Sequence, residues 1–301
     1  SRFIMMNLEG KTVTEPENLN ELCFEDKWIL SKLNAVIRDV TDNMDKYELG
    51  IAVQKVYDFL WDELCDWYIE MAKVRLWKAD EDPKAANDAL WTLRTALTEG
   101  LKLLHPYMPF ITEEIYCTLL PEEESIMISD WPVYQEAWIF PEAEKAVESF
   151  KEAIRGIRNT RTEMNVPMNR KTHLYVVGKD AETCARYEAC KKSFVNLAFA
   201  KEIHVQENKD GIGEDAVSVV VSDAVVYMPL EDLVDREKEM ERLKKEQERL
   251  TKEIARCQGM LNNPNFVNKA PEAKVNAEKE KLQKYEEMME KVNVQLKQME
   301  N

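Results

Sequence analysis

The sequence predicts a mainly α protein in three parts. These are a helical bundle over 1–165, a small α/β module over 166–230, and an antiparallel coiled-coil hairpin over 231–301. Three observations carry that prediction. Apolar residues recur at three- and four-residue steps through most of the chain. Glycine is scarce, at 8 of 301 residues, while charged residues make up 33%, a balance that suits long solvated helices. From residue 231 onward, two heptad seams flank one proline-marked bend.

Residues 1–9, with Phe3, Ile4 and Met6 apolar, read as the tail of a helix that Gly10 stops. After a polar loop with Pro16, Ile29, Leu33, Val36, Ile37, Val40 and Met44 share one helical face. From Leu49 to Trp77 the apolar stripe is wider, which predicts a helix covered on more than one side. Asp82-Pro83 has the chemistry of an N-cap and first-turn pair, and Leu90, Leu93, Leu97, Leu101 and Leu104 carry the helix that follows. Thr112 is placed to cap the next short helix, with Glu113 and Glu114 at its positive end. Pro121, Pro132 and Pro141 punctuate a loop, and a helix through Phe150, Ile154, Ile157 and Met164 ends before Val166-Pro167.

The period then changes. Residues 173–177, 202–205, 217–221 and 225–228 are short β-branched runs that predict strands, with a helix across 181–196. In the last part, Met240, Leu243, Leu250, Ile254, Cys257 and Leu261 form one seam, with Gln247 its polar entry. Leu282, Tyr285, Met289, Val292, Leu296 and Met299 form the other, across a bend at 262–271. Arms of this length extend about 40 Å at 1.5 Å per residue, a reach that suits a lever more than a pocket.

Charge separates the parts. The formal net charge is −16, with 15 Lys/Arg against 16 Asp/Glu from Glu231 onward and 26 against 41 before it. An acidic body argues against non-specific nucleic-acid binding and against DNA as a partner, but it allows a local basic face. The six cysteines form no Cys-x-x-Cys pair and have no matching histidine cluster, which predicts no metal site and buried thiols in a reducing cytosol. No apolar run is long enough to span a bilayer, so no membrane partner is expected. The chain opens Ser1-Arg2-Phe3 with no initiator Met, which predicts an excised fragment.

No catalytic residue is predicted. The sequence has no Gly-rich phosphate loop, no Gly-x-Ser-x-Gly and no His-Glu-x-x-His. His105, His173 and His204 are isolated, and the acidic runs at 113–114 and 122–124 read as helix-end or loop charge. Aromatics weigh more if the partner is RNA, because unpaired bases stack on flat side chains. Trp28, Trp61, Trp67, Trp77 and Trp91 fall on helices and read mostly as core, whereas Phe3 beside Arg2 is a candidate for base contact. On the hairpin, Arg256, Lys269, Lys274, Lys279 and Lys281 give the distal half a modest positive potential that suits phosphates.

Several motifs occur in the order found in one family. They are Arg-Phe-Ile-Met-Met-Asn-Leu-Glu-Gly (2–10), Asp-Lys-Trp-Ile-Leu-Ser-Lys-Leu (26–33) and Cys-Asp-Trp-Tyr-Ile-Glu (65–70). Leu-Leu-His-Pro-Tyr-Met-Pro-Phe-Ile-Thr-Glu-Glu-Ile-Tyr (103–116), Ile-Arg-Gly-Ile-Arg (154–158) and Asn-Pro-Asn-Phe-Val-Asn-Lys-Ala-Pro (263–271) follow, and Glu-Lys-Glu-Lys-Leu (278–282) closes the set. Together they resemble the C-terminal region of bacterial valyl-tRNA synthetases. The Asn-Pro-x-Phe bend with its two seams is the specific part; the His-Pro-x-Met-Pro-Phe segment resembles class I synthetases more broadly.

The resemblance implies a helical anticodon-binding domain, a linker module, and a coiled-coil arm that leans on the outer corner of the L-shaped tRNA. It implies tRNA(Val) as partner, a cytoplasmic monomer, and RNA contacts at Arg256 and Lys281 with Lys279 close by. Lys281 stands where the family more often has Arg, which keeps the charge and loses the guanidinium fork. Phe3 matches a stacking position among the family's anticodon readers, most of which precede this chain. The family activates valine with ATP and magnesium through His-Ile-Gly-His- and Lys-Met-Ser-Lys-Ser-type motifs, and neither occurs in these 301 residues. The expectation is a tRNA-positioning fragment with no cofactor of its own. The alternative is a coiled-coil protein-interaction module.

Overall fold

The computed structural model of the chain describes residues 1–167, 169–233, 236–263 and 272–300, with 236–243, 272–273, 291 and 294–300 described by backbone alone. Lys269, the proline-marked bend after Asn263, and the seam side chains of Met240, Leu243, Leu296 and Met299 lie outside the described residues. Contacts divide the chain into two compact units, Ser1–Pro229 and Leu230–Asn301.

The first unit begins with α1 (Arg2–Leu8), beyond which Gly10 takes the left-handed φ of +69° that a side chain would resist. Helix α2 (Phe24–Asp45) packs against α3 (Leu49–Asp58), α5 (Pro83–Leu104) and α7 (Pro141–Glu163). Its Trp28, Ile29, Leu33, Ile37 and Val40 are buried as the periodicity predicts. The wide stripe at 49–77 is one long helical path: α3 widens into a π-helical stretch (Phe59–Tyr68) and continues as α4 (Ile69–Trp77). The wider turn rotates the register, so Phe59, Leu64, Trp67 and Tyr68 are all buried. Asp82 caps α5 by accepting the Ala85 N–H at 3.1 Å, with Pro83 in the first turn.

Some expectations are corrected. Helix α6 (Pro109–Leu119) starts three residues before Thr112, with Pro109 in its first turn. Thr112 therefore does not cap it. Its buried hydroxyl donates back to the Met108 carbonyl at 2.8 Å and meets His105 Nδ1 at 2.7 Å. A proline with preset φ sets the helix start more firmly than a Thr-Glu-Glu run. Pro141 likewise opens α7 instead of sitting in the loop. Trp28, Trp67 and Trp91 are core as expected of most helical tryptophans, with Trp61 and Trp77 exposed, but of the six thiols only Cys190 and Cys257 are buried, with Cys65 exposed.

The α/β part holds β1 (Thr172–Gly178), α8 (Ala181–Ala189), α9 (Lys191–Leu197), β2 (Ala200–Gln206), β3 (Val217–Val220) and β4 (Ala224–Met228). The sheet order is β2-β1-β4-β3; β1 and β2 are parallel across the α8–α9 crossover and the other pairs are antiparallel. Strand β1 alternates buried and half-buried positions, the pattern of a sheet with one face on the core. Helix α7 lies against β3 at Gly156, where a Cβ would come within 2.4 Å of Val219 Cγ1.

Buried polar groups fasten the α/β part to the bundle. Ser193 Oγ donates to Glu25 at 2.6 Å, and Ser149 Oγ donates to Asp223 at 2.5 Å. Asp223 also meets Arg186 at 3.1 Å. Within the bundle, Lys151 is 2% exposed, with Nζ 2.6 Å from Glu63 and above the Trp28 and Trp67 rings at 4.7 and 5.5 Å. Its charge is tolerated there because carboxylate and ring faces replace water.

The second unit contains α10 (Leu230–Leu233), α11 (Arg236–Leu261) and α12 (Glu272–Glu300). Rising positions on α11 meet falling positions on α12, so the pair is antiparallel. Gln247 Nε2 donates to Asn293 Oδ1 at 2.7 Å, and Leu250 packs with Val292, Tyr285, Met288 and Met289. Farther along, the Cys257 thiol bonds Glu278. Gln247, the polar entry in its seam, thus has an amide partner that fixes the register of the two helices.

Candidate nucleic-acid interface

Cations on the antiparallel pair converge on one stretch. Arg256 and Lys281 are exposed, and both lie within electrostatic reach of Glu278. The Cys257 thiol, which donates to Glu278, holds that carboxylate below its usual range; burial opposes this, and Lys281 and Arg256 reinforce it. Each cation also has a carboxylate one turn back. Arg256 Nη2 is 3.1 Å from Glu253, and Lys281 Nζ is 3.5 Å from Glu278. The Arg256–Glu253 pair, exposed on its cation side, is worth only about 0.2–0.5 kcal/mol, which a phosphate can replace, whereas Glu278 is buried and Lys281 reaches it from the exposed side. Lys279 is exposed on the same turn of α12. Lys269 lies outside the described residues.

In the first unit, Phe3 is half-buried on α1 with Lys73 Nζ 5.5 Å from its ring centre. Arg2 is exposed and lines a cleft of about 990 Å³ with Lys11 and Arg94. Lys73 was not a sequence candidate. Its only signal is the three-residue step from Glu70, which it meets at 2.5 Å. The structure brings Arg2, Phe3 and Lys73 to one end of the bundle, and brings Arg256, Lys279 and Lys281 to one stretch of the second unit.

His105 and His204 have structural partners, but α6 starts at Pro109 and has no acidic residue in its first turn, so Glu113 and Glu114 do not sit at its positive end. His105 is tied to Thr112, and His204 stacks on Tyr175 with ring centres 5.0 Å apart. Glu113 accepts the Ile126 N–H at 3.1 Å, which fastens the loop after α6. Among the described residues no three His, Cys, Asp or Glu gather as a metal set, and no helix is long and apolar enough to cross a membrane.

Residues 26–176 match the family model for the anticodon-binding domain of tRNA ligase, and residues 235–300 match the model for the valyl tRNA synthetase tRNA binding arm. A valine-tRNA ligase of Clostridium perfringens is 48% identical over 299 residues, 97% of this chain and 33% of that protein. One from Clostridium tetani is 48% identical over 297 residues, 99% of the chain and 33% of the relative. One from Bacillus cereus is 39% identical over 300 residues, 100% of the chain and 34% of the relative. The chain thus spans about a third of the length of the curated relatives it matches.

Proposed function

We infer the function from one premise: the chain belongs to the family of anticodon-binding domains of tRNA ligases, and it carries a tRNA-binding-arm match on its last part. On that premise it is the RNA-holding part of a valine-tRNA ligase, and its partner is tRNA(Val). The helical unit cradles the anticodon stem and the helical pair reaches the elbow. Holding the RNA at two places aligns the acceptor end with an active site elsewhere in the longer protein. Orientation of this kind is worth on the order of several kcal/mol.

ATP and magnesium serve that other part, and the chain itself neither binds a cofactor nor catalyses. The working location is the cytoplasm and the working state a monomer. The observation that carries the reading is the two matches in order on one chain, with Arg256 and Lys281 exposed together on the second. It supports this reading over a protein-interaction role for the hairpin.

Gel-shift titration of tRNA(Val) tests it. Wild type is expected to shift the RNA, and Arg256→Ala with Lys281→Ala to weaken binding about tenfold or more, as lost phosphate contacts do. An unchanged shift in the double variant, with concentration-dependent dimerisation, would favour protein interaction instead. Calorimetric titration with ATP and with valine is expected to give no saturable heat; clear saturation by either would overturn the non-catalytic assignment.

A further inference from the structure

A second cationic surface lies on α7. Arg155, Arg158 and Arg161 follow one another at three-residue steps, which places them along one side of the helix. Arg155 is exposed, its guanidinium carbon 5.2 Å from the Trp67 ring centre. Arg158, also exposed, approaches the same ring at 5.9 Å, and its Nε and Nη2 both donate to the Leu197 carbonyl, at 3.1 and 3.0 Å. Arg161 is buried: its Nη2 donates to the carbonyls of Pro167 and Arg170, and its Nη1 has no hydrogen-bond partner among the described residues.

The row has an unusual electrostatic setting. Residues 1–230 carry 26 Lys/Arg against 41 Asp/Glu, so an exposed arginine there has many carboxylates to choose from. Among the described residues neither Arg155 nor Arg158 has a carboxylate within 4.0 Å; they rest instead on an indole face and a carbonyl. The carboxylate that does act on Arg158, Glu70, is tied by Lys73 at 2.5 Å. Lys73 in turn sits by Phe3. A surface of cations and rings therefore runs from Phe3 across Lys73 to Arg158 and Arg155.

A guanidinium over a ring face is attracted by the ring, and its N–H groups turned away from the ring can still donate. Such N–H groups fit two oxygens of a phosphate. The carbonyl at Leu197 takes one edge of Arg158 and leaves its Nη1 for a ligand. Such contacts fix where a nucleic-acid backbone lies without reading sequence.

We propose that Arg155 and Arg158, seated on Trp67, grip phosphodiester groups of the tRNA backbone as a contact separate from the arm. This rests on the RNA-binding reading above. Arg161 acts through the chain around it, pinning the turn after α7 so that the row keeps its shape.

Fluorescence anisotropy of a labelled tRNA(Val) transcript with the full 301-residue chain, across a salt series, tests the proposal. Arg155→Gln with Arg158→Gln is expected to weaken binding about tenfold near 0.1 M salt. It should also flatten the slope of log K against log salt by roughly 1.4–1.8, for two phosphates lost. Arg155→Gln alone, which forfeits only a ring contact and keeps the fold, should flatten it by about half as much. Arg155→Lys should keep the slope and lose part of the affinity, because charge remains without the fork. Affinity and slope unchanged in the folded Arg155→Gln variant, while Arg256→Ala with Lys281→Ala still weakens binding, would overturn the α7 row and leave the RNA-binding reading standing. That result would point to an acidic protein surface as the row's partner. A wild-type chain that does not bind the transcript at any salt would overturn both.

Discussion

Asp26 shows how a charge survives at the centre of a helical bundle. Its carboxylate is wholly buried and accepts two bonds from Arg75, at 2.6 and 2.5 Å, and one from the Tyr68 hydroxyl at 2.5 Å. Burial, then the neighbouring Asp26 charge, pushes the Tyr68 hydroxyl well above its usual value. Burial works against the Arg75 charge, but Asp26 outweighs it and drives the guanidinium further up. Removing one partner of such a pair strands the other. Arg75→Met is expected to cost about 3–5 kcal/mol, read from the urea midpoint. Adding Asp26→Asn should recover part of that loss, because the orphaned charge goes with it. A single variant within 1 kcal/mol of wild type (about a fivefold change in the folding equilibrium) would show the pair to be incidental. Neither Asp26 nor Lys151 was legible as buried from sequence. On an amphipathic helix a charged residue reads as solvated, and their partners lie 49 and 88 residues away. The candidate cations on the hairpin were legible because they needed no distant partner to be exposed.

The elements themselves followed the sequence closely wherever one period ran without interruption, as in α2, α5 and α7. Two features escaped. The π-helical stretch left only a widened stripe as its trace, because Phe59, Leu64, Trp67 and Tyr68 fit no single 3.6-residue face. The α7–β3 contact was equally hidden, since nothing in Ile-Arg-Gly-Ile-Arg says which neighbour needs the missing side chain. The structure gives the reason for Gly156: Val219 occupies the space a methyl group would take. Valine has little rotamer freedom with which to give way. Gly156→Ala is therefore expected to destabilise by about 1–3 kcal/mol through overpacking, despite alanine's better helix propensity. Val219→Ala should relieve much of it, and thermal unfolding of the single and double variants would show the rescue. Equal melting of Gly156→Ala and wild type would mean that the helix and strand simply shift apart.

At the scale of the molecule, the chain's acidity bears on the proposed function. A body with 41 carboxylates against 26 cations before residue 231 repels a polyanion everywhere except where cations are gathered. On the proposed function, this charge balance suppresses non-specific RNA binding and confines contact to a few places. On the proposed function those places are the stretch of the helical pair that carries Arg256, Lys279 and Lys281, and the bundle surface that carries Arg2, Phe3 and Lys73 and runs on to Arg158 and Arg155. Binding at discrete sites suits the proposed task of setting the direction of a long, rigid RNA. Hydroxyl-radical footprinting of tRNA(Val) bound to the chain tests this most directly, because it reads backbone protection nucleotide by nucleotide. Two separate protected zones are predicted, one at the elbow and one on the anticodon stem, with the elbow zone lost in Arg256→Ala with Lys281→Ala. Uniform cleavage along a tRNA that is demonstrably bound, or a single zone at the acceptor end, would contradict it.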